Sequence, residues 1–200
     1  RYSYLDQIKK ENIKDLGLEW VFQAKSLENF EATPLVVDGV MYLTQPPNDV
    51  VAIDVKTGRV FWTYHYKVPK EVSVCCGRVN RGVAILDGRV YLGTLDAHLQ
   101  AIDAKKGVLL WDVKLADFRD GYAITMAPLV VKDKVVVGMA GGEYGIRGFL
   151  EAYDAKTGKR AWRFNTIPGP GEVGNDTWAG ESWKTGGGSA WLTGSFDPQL

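Results

Sequence analysis

The sequence carries no net charge, because its 24 basic residues are balanced by 24 acidic ones. Proteins that bind nucleic acid show an excess of basic residues, so this balance argues against a nucleic-acid partner. The sequence also lacks a run of about eighteen apolar residues, and we therefore predict no transmembrane segment. The only two histidines, His65 and His98, have no cysteine or acidic partner at the spacing of a zinc site.

Cysteine is equally scarce, and the only two cysteines are adjacent, Cys75-Cys76. Two interpretations stay open from the residues alone. Two small buried thiols are the commoner case, since a free cysteine packs as a small hydrophobic residue. A disulfide between neighbours would close a strained ring, and strain of that kind persists mainly at functional sites. The disulfide would also require an oxidising compartment.

The sequence does contain one motif that is repeated three times. A strand-like run ends in an Asp-x-Lys-x-Gly turn, and a tryptophan follows four residues after the glycine. The three copies are Ala52–Gly58 with Trp62, Ala101–Gly107 with Trp111, and Ala152–Gly158 with Trp162. A strand-turn-strand unit that recurs about every fifty residues is typical of β-propeller blades.

The residues within one unit explain its turns. Asp38-Gly39 and Asp87-Gly88 lie between β-branched runs and predict two-residue hairpins, which need a positive φ. The tryptophan after each second turn is placed to pack on the neighbouring blade, with its indole N–H on a backbone acceptor. We assign Trp20 the same role in a further blade.

We therefore predict an all-β fold, a propeller of four-stranded antiparallel blades of which this chain covers roughly the first half. Leu5, Ile8, Ile13 and Leu16 have helix-like spacing and indicate a helical lead-in. The predicted divisions are a lead-in over 1–17, with the partial propeller over 18–200, blades around 34–64, 84–113 and 128–164, and an incomplete blade from 183.

The third repeat carries five extra residues, within Met139–Gly148, that the other two lack. An insertion that breaks repeat symmetry is a common place for a site, and glycines permit close approach of a ligand. Glu143 would supply a hard oxygen donor there, although an exposed acid on a glycine-rich loop is an equal alternative. No Lys-Ser or Lys-Thr follows, so the stretch is not a Walker loop. The tryptophans of 176–191 beside Gly186–Gly188 suggest either a stacking surface for a planar ligand or core packing.

Together these segments resemble one family. The carriers of the resemblance are Cys75-Cys76 followed by Asn80-Arg81-Gly82, the loop Ala140–Glu143 leading into Arg147-Gly148, and Trp183–Gly188 leading to Trp191. In this order they resemble the dehydrogenases that use pyrroloquinoline quinone (PQQ) to oxidise alcohols, which include the methanol and ethanol dehydrogenases and are eight-bladed propellers. The resemblance covers nearly the whole chain.

The resemblance implies a role for several residues. Cys75 and Cys76 correspond to a vicinal disulfide on one face of the quinone, Trp191 to the indole on the other face, and Arg81 to the partner of a cofactor carboxylate. Glu143 corresponds to a ligand of Ca²⁺ or, in some members, a lanthanide. Further implied cofactor contacts are Glu31, Thr125, Ala140, Gly141 and Gly142. Some relatives have Ser at the position of Ala140, so one hydroxyl contact is absent here.

The resemblance also implies an activity, the oxidation of a primary alcohol by hydride transfer to a metal-polarised quinone. It further implies a cytochrome c or similar electron acceptor and a periplasmic location. The catalytic aspartate base and the remaining metal ligands are expected beyond Leu200, so this stretch holds about half of the pocket and should be inactive alone. Two alternatives stay open: a propeller scaffold without cofactor, and a PQQ-dependent sugar dehydrogenase. The cysteine pair favours the alcohol branch over the sugar branch.

Overall fold

The computed structural model describes residues 5–199, which contain three four-stranded antiparallel sheets in sequence order. The first sheet is β1 (Leu35–Val37), β2 (Val40–Gln45), β3 (Asp49–Asp54) and β4 (Val60–Tyr64). The second is β5 (Ala84–Leu86), β6 (Arg89–Gly93), β7 (His98–Asp103) and β8 (Leu109–Lys114). The third is β9 (Leu129–Val131), β10 (Lys134–Gly138), β11 (Phe149–Asp154) and β12 (Arg160–Asn165). This architecture confirms the predicted all-β class of four-stranded blades.

The predicted hairpin turns form as the residues require. Asp38 and Gly39 have φ of 49° and 78°, and Asp87 and Gly88 have φ of 48° and 71°. Two consecutive positive φ values define the turn whose twist matches the flanking strands. Aspartate tolerates this region better than most residues, which accounts for the Asp-Gly pairs.

Each pair of neighbouring sheets is held by a contact that we call the Trp–Gly joint. The indole N–H of Trp62 donates to the carbonyl oxygen of Ala104, 3.0 Å away. The ring lies over Gly107, where an added Cβ would stand 2.6 Å from it. The same joint links Trp111 to Ala155 and Gly158, and Trp20 to Val55 and Gly58. The proposed equivalence of Trp20 with the repeat tryptophans is thus confirmed in its contacts.

The core lies between the sheets. Tyr42 and Val50 of the first sheet pack with Leu92 of the second, and Leu99 of the second packs in a larger cluster with Phe149 of the third. Trp162 was expected to be buried in the same way, but 46% of it is exposed. No turn glycine of another sheet covers the outer face of β12 within residues 5–199.

Two further expectations differ from the structure. In place of a helical lead-in over 1–17 there is one short 3-10 helix, Ile13–Asp15, and residues 1–4 lie outside the described part. The apolar side chains that suggested a helix, among them Leu5 and Leu16, are exposed, and so short a helix is unstable without a surface to pack on. In place of strands from 183 there is a 3-10 helix, Ser182–Thr185, and then irregular chain with one isolated bridge from Gly187 to Arg147. No helix within residues 5–199 has the length and apolar character needed to span a membrane.

The antiparallel order decides which loops meet. Successive connections of such a sheet alternate between its two ends. The connections that follow even-numbered strands, 65–83 after β4, 115–128 after β8 and 139–148 after β10, therefore emerge at one end, opposite the Trp–Gly joints. The segment after β12 returns to this end, since the amide of Ala190 donates to the carbonyl of Met139, 2.9 Å away.

Candidate functional site

A cavity of about 310 Å³ lies where these loops meet. Most of the predicted site residues line it, namely Cys75, Cys76, Arg81, Thr125, Ala140, Gly141, Glu143 and Trp191. Glu31 and Gly142 do not line it themselves but bond to residues that do. Residues more than a hundred positions apart in sequence are thus brought to one place by the stacking of the three sheets.

One wall of the cavity is a vicinal disulfide. Cys75 and Cys76 are bonded to each other, and both residues are exposed. The alternative of two buried thiols is therefore wrong. The loop that carries them is anchored by buried Asn80, whose amide donates to the carbonyl of Gly93 at 2.8 Å and accepts from the amide of Gly82 at 2.9 Å.

Arg81 is the cation of the cavity. Its guanidinium pairs with the carboxylate of Glu31 at 2.5 Å and lies 4.8 Å from the ring centroid of Trp191. Its backbone amide donates to the carbonyl of Thr125 at 3.1 Å, which ties the loop after β4 to the loop after β8. A planar guanidinium can pair with a carboxylate and stack on a ring at once, which lysine cannot do.

The polar side chains of the cavity that have no partner among the described residues include Thr125 and Glu143. The hydroxyl of Thr125 makes no hydrogen bond, although the residue is only 8% exposed. The carboxylate of Glu143 has no ion pair or hydrogen bond and is exposed. Within residues 5–199 no cluster of three histidine, cysteine or acidic side chains could enclose a metal ion. Ca²⁺ takes about six to eight oxygens, so Glu143 alone could not complete the shell of such an ion.

Glycines shape the floor of the cavity. Gly141 has a φ of 113°, and an added Cβ would meet the carbonyl oxygen of Gly121. Ala140 and Ala123 exchange backbone hydrogen bonds of 2.8 and 3.2 Å across the same floor. Any larger side chain at position 141 would therefore push the two loops apart.

Seven cavity residues were not predicted from the sequence, and they include Gly121, Tyr144 and Ser189. The hydroxyl of Ser189 accepts the amide of Gly142 at 2.7 Å and so holds the glycine loop against the last segment. Its place directly after Gly186–Gly188 was a usable signal. Neither Gly121 nor Tyr144 carries such a signal, because their position depends on how the loops pack.

The histidines lie outside this cavity. His65 pairs with Asp49 at 2.7 Å, and His98 pairs with Asp112 at 2.8 Å. The hydrogen bond to Asp112 raises the pKa of His98 and outweighs the opposing effect of burial. The second pair connects β7 and β8, and the first ties the residue after β4 to the start of β3, so both are structural contacts.

The chemistry of the cavity fits a flat anionic ligand. The disulfide and the indole of Trp191 offer apolar faces, and aromatic rings stack favourably on such surfaces. Arg81 offers a planar cation to a carboxylate, while Thr125 and the glycine loop offer polar groups at the edges. Glu143 stands at the same cavity, so a metal bound there would lie beside the ligand.

The chain matches a known family over its whole length. Residues 1–200 match the family described as PQQ glucose/ethanol/alcohol dehydrogenase, beta-propeller domain. Quinohemoprotein alcohol dehydrogenase ADH-IIG of Pseudomonas putida is 45% identical over 100% of this chain and 30% of its own length. The lanthanide-dependent methanol dehydrogenase of Methylorubrum extorquens is 41% identical over 100% of this chain and 37% of its own.

Solved structures agree with these relatives. A europium-containing methanol dehydrogenase superposes with a TM-score of 0.92 at 40% identity, over 99% of this chain and 38% of that one. The chain thus spans about a third of the length of the relatives it matches. The chain belongs to the PQQ-dependent glucose/ethanol/alcohol dehydrogenase family and forms part of its β-propeller domain.

Proposed function

We propose that the full-length protein oxidises a primary alcohol to an aldehyde with PQQ as its cofactor and Ca²⁺ or a lanthanide as its metal. The observation that carries this proposal is the convergence of the vicinal disulfide, Trp191, Arg81 and Glu143 on one cavity. A scaffold propeller needs the Trp–Gly joints but has no use for a free carboxylate beside a stacking surface.

Each residue of the cavity then has a task. The disulfide and Trp191 hold the two faces of the cofactor, and Arg81 binds one of its carboxylates. Thr125 donates its free hydroxyl at the edge, and the backbone of Ala140–Gly142 packs beside the ring. Glu143 ligates the metal. The bound quinone, polarised by that metal, supplies the acceptor for the hydride that leaves the alcohol carbon.

Further parts of the reaction belong to the rest of the protein. We place the aspartate that takes the hydroxyl proton, and the other metal ligands, in the blades that follow this stretch. A cytochrome c is the proposed electron acceptor, since relatives are named quinohemoprotein alcohol dehydrogenase and 1-butanol dehydrogenase (cytochrome c). The vicinal disulfide supports an oxidising compartment such as the periplasm.

Reconstitution of the full-length protein tests the proposal. The cofactor-free protein is mixed with PQQ and Ca²⁺ or a lanthanide, and the reduction of a dye acceptor is followed with ethanol or glucose. We expect turnover with ethanol, dependent on both additions. Turnover with glucose but not with ethanol would support the sugar dehydrogenase. A protein that takes up no PQQ would support the scaffold propeller.

A further inference from the structure

Arg147 closes the insertion loop that carries Glu143, yet it does not line the cavity. Its Nε donates to the carbonyl of Ile167 at 2.9 Å, and its NH2 group pairs with Glu172 at 2.7 Å. The guanidinium also lies 4.8 Å from the ring centroid of Trp183. One side chain thus contacts both parts of the long segment after β12.

The backbone around Arg147 makes a second set of connections. The Tyr122 hydroxyl accepts the Arg147 amide at 3.2 Å, which joins the insertion loop to the loop after β8. The amide of Gly148 donates to the carbonyl of Gly187 at 2.7 Å, and that of Gly187 donates to Ile146 at 2.8 Å. Arg147 therefore stands where the metal loop (139–148) meets the Trp191 arm (182–193).

The surroundings of the guanidinium are built for it. Glu172 also accepts the amide of Gly169, which holds the carboxylate in place. An added Cβ on Gly169 would stand 2.7 Å from the NH2 atom of Arg147, so the glycine leaves room for the arginine. The planar guanidinium binds a carboxylate and a carbonyl and stacks on a ring at the same time, which the ammonium group of lysine cannot do.

We propose that Arg147 is a positioning residue for the cofactor site. It fixes the metal loop and the Trp191 arm relative to each other, so that the Glu143 carboxylate and the stacking indole face one ligand. This inference rests on the proposed function, because it assigns to Arg147 the alignment of the two groups that would bind metal and cofactor. Partners that orient a metal ligand commonly change metal affinity when they are removed.

The test compares Arg147→Met with Arg163→Met in the full-length protein. Arg163 is a matched control, since it also pairs with a carboxylate (Glu151, 2.6 Å), contacts a carbonyl (Leu115, 3.4 Å) and lies over a ring (Phe149, 3.8 Å). It does so on β12, away from the cavity. Two quantities are measured: the Tm of the cofactor-free form, and the Ca²⁺ concentration that gives half of the tryptophan fluorescence quenching by PQQ.

We expect Arg147→Met to raise the half-saturating Ca²⁺ concentration by about tenfold, the lower end for lost orienting partners. Arg147→Lys should recover part of this loss through its pair with Glu172. Arg163→Met should lower the Tm at least as much and leave the Ca²⁺ concentration unchanged. Equal Ca²⁺ shifts in Arg147→Met and Arg163→Met, or no shift in the former, would overturn the proposal.

Two other outcomes, a variant that does not fold and a parent protein that does not bind PQQ, lead to different conclusions. If Arg147→Met does not fold, Glu172→Gln carries the test, because it removes the ion pair at constant size and should shift the Ca²⁺ concentration in the same direction. An unchanged Ca²⁺ concentration in Glu172→Gln would then overturn the proposal. If the parent protein shows no quenching by PQQ at any Ca²⁺ concentration, the proposed function fails.

Discussion

Glu143 carries a free carboxylate into a cavity whose other polar groups suit an organic anion. Glu143→Gln keeps the size of the side chain and removes its charge. In the full-length protein we expect much weaker Ca²⁺ binding and little alcohol oxidation, because an uncharged amide oxygen binds a dication more weakly than a carboxylate does. The Tm of the cofactor-free form should stay unchanged, since the carboxylate has no partner among residues 5–199. Calorimetric Ca²⁺ titration in the presence of PQQ measures the effect.

The matched control for this variant is Glu19→Gln, which neutralises another exposed glutamate far from the cavity in sequence. It should leave both Ca²⁺ binding and turnover at the parent level. If Glu143→Gln also binds metal and oxidises alcohol like the parent, Glu143 is not a metal ligand.

The disulfide makes a prediction about thiol content. When the protein is isolated without reductant, denatured and digested, the peptide that carries Cys75 and Cys76 should take up no thiol label, because the two cysteines are bonded to each other. After reduction it should take up two equivalents, which serves as the positive control. Two equivalents before reduction would contradict the bond.

The His98–Asp112 pair makes stability depend on pH. Its hydrogen bond raises the pKa of His98, so its contribution is complete below the unfolded value of about 6.5 and is lost as the pH rises through the higher folded pKa. Burial alone would raise the pKa of Asp112, but the hydrogen bonds from His98 and Gln100 lower it, so this pair stays charged under mild acid.

Asp112→Asn removes the pair, and denaturant unfolding of parent and variant measures its effect. We expect the variant to lose more free energy of unfolding at about pH 5.5 than at about pH 8.5, where His98 is largely neutral. Equal losses at the two pH values would show that His98 does not become charged against Asp112.

At the scale of the element, the Trp–Gly joint explains why the turn glycine recurs. Gly107 and Gly88 have nearly the same φ, 67° and 71°, but only Gly107 lies under an indole. Ala at either position costs about 1–2 kcal/mol for the left-handed backbone. Gly107→Ala should cost clearly more, because its Cβ would displace Trp62. Urea unfolding of the two variants measures this difference. Equal losses of unfolding free energy would mean that the Trp62 indole does not pack tightly on Gly107.

The repeating elements were predictable because their signals are local. Asp-Gly turns and β-branched runs indicate the strands. The repeated motif that ends in tryptophan marks the last hairpin of each sheet. The lead-in failed because a helix-like spacing forms a helix only where packing stabilises it, and Leu5 and Leu16 are exposed. The path of 183–199 depends on contacts with the metal loop, which no local pattern encodes.

The site shows the same division. Cys75, Arg81, Glu143 and Trp191 stand out by their motifs, so their grouping could be proposed from resemblance. Gly121 and Tyr144 complete the cavity through packing between loops that are distant in sequence, and their residue types alone do not reveal this role. The sequence motif that contains Arg147 does not reveal its contacts, because its partners Ile167 and Glu172 follow a different strand, β12.

At the scale of the whole molecule, Glu143 provides too few oxygens to bind a metal alone, and in the proposed complex the cofactor would complete the metal's shell. Each ligand should therefore increase the affinity of the other by the same factor. In the full-length protein, PQQ titrated with and without Ca²⁺, and Ca²⁺ titrated with and without PQQ, should give equal ratios above one. A ratio of one in both directions would place the metal away from the cofactor.

The Trp–Gly joint also has a direction. Each of the three described sheets receives a tryptophan on its turn glycine, from Trp20, Trp62 and Trp111 in turn, and the first two sheets offer their own tryptophan to the next sheet. The two halves of the contact are thus encoded at opposite faces of the same fifty-residue unit. Copying one whole unit in a gene would duplicate both halves together and leave every joint matched. A ring built this way can gain or lose blades during evolution without inventing a new interface.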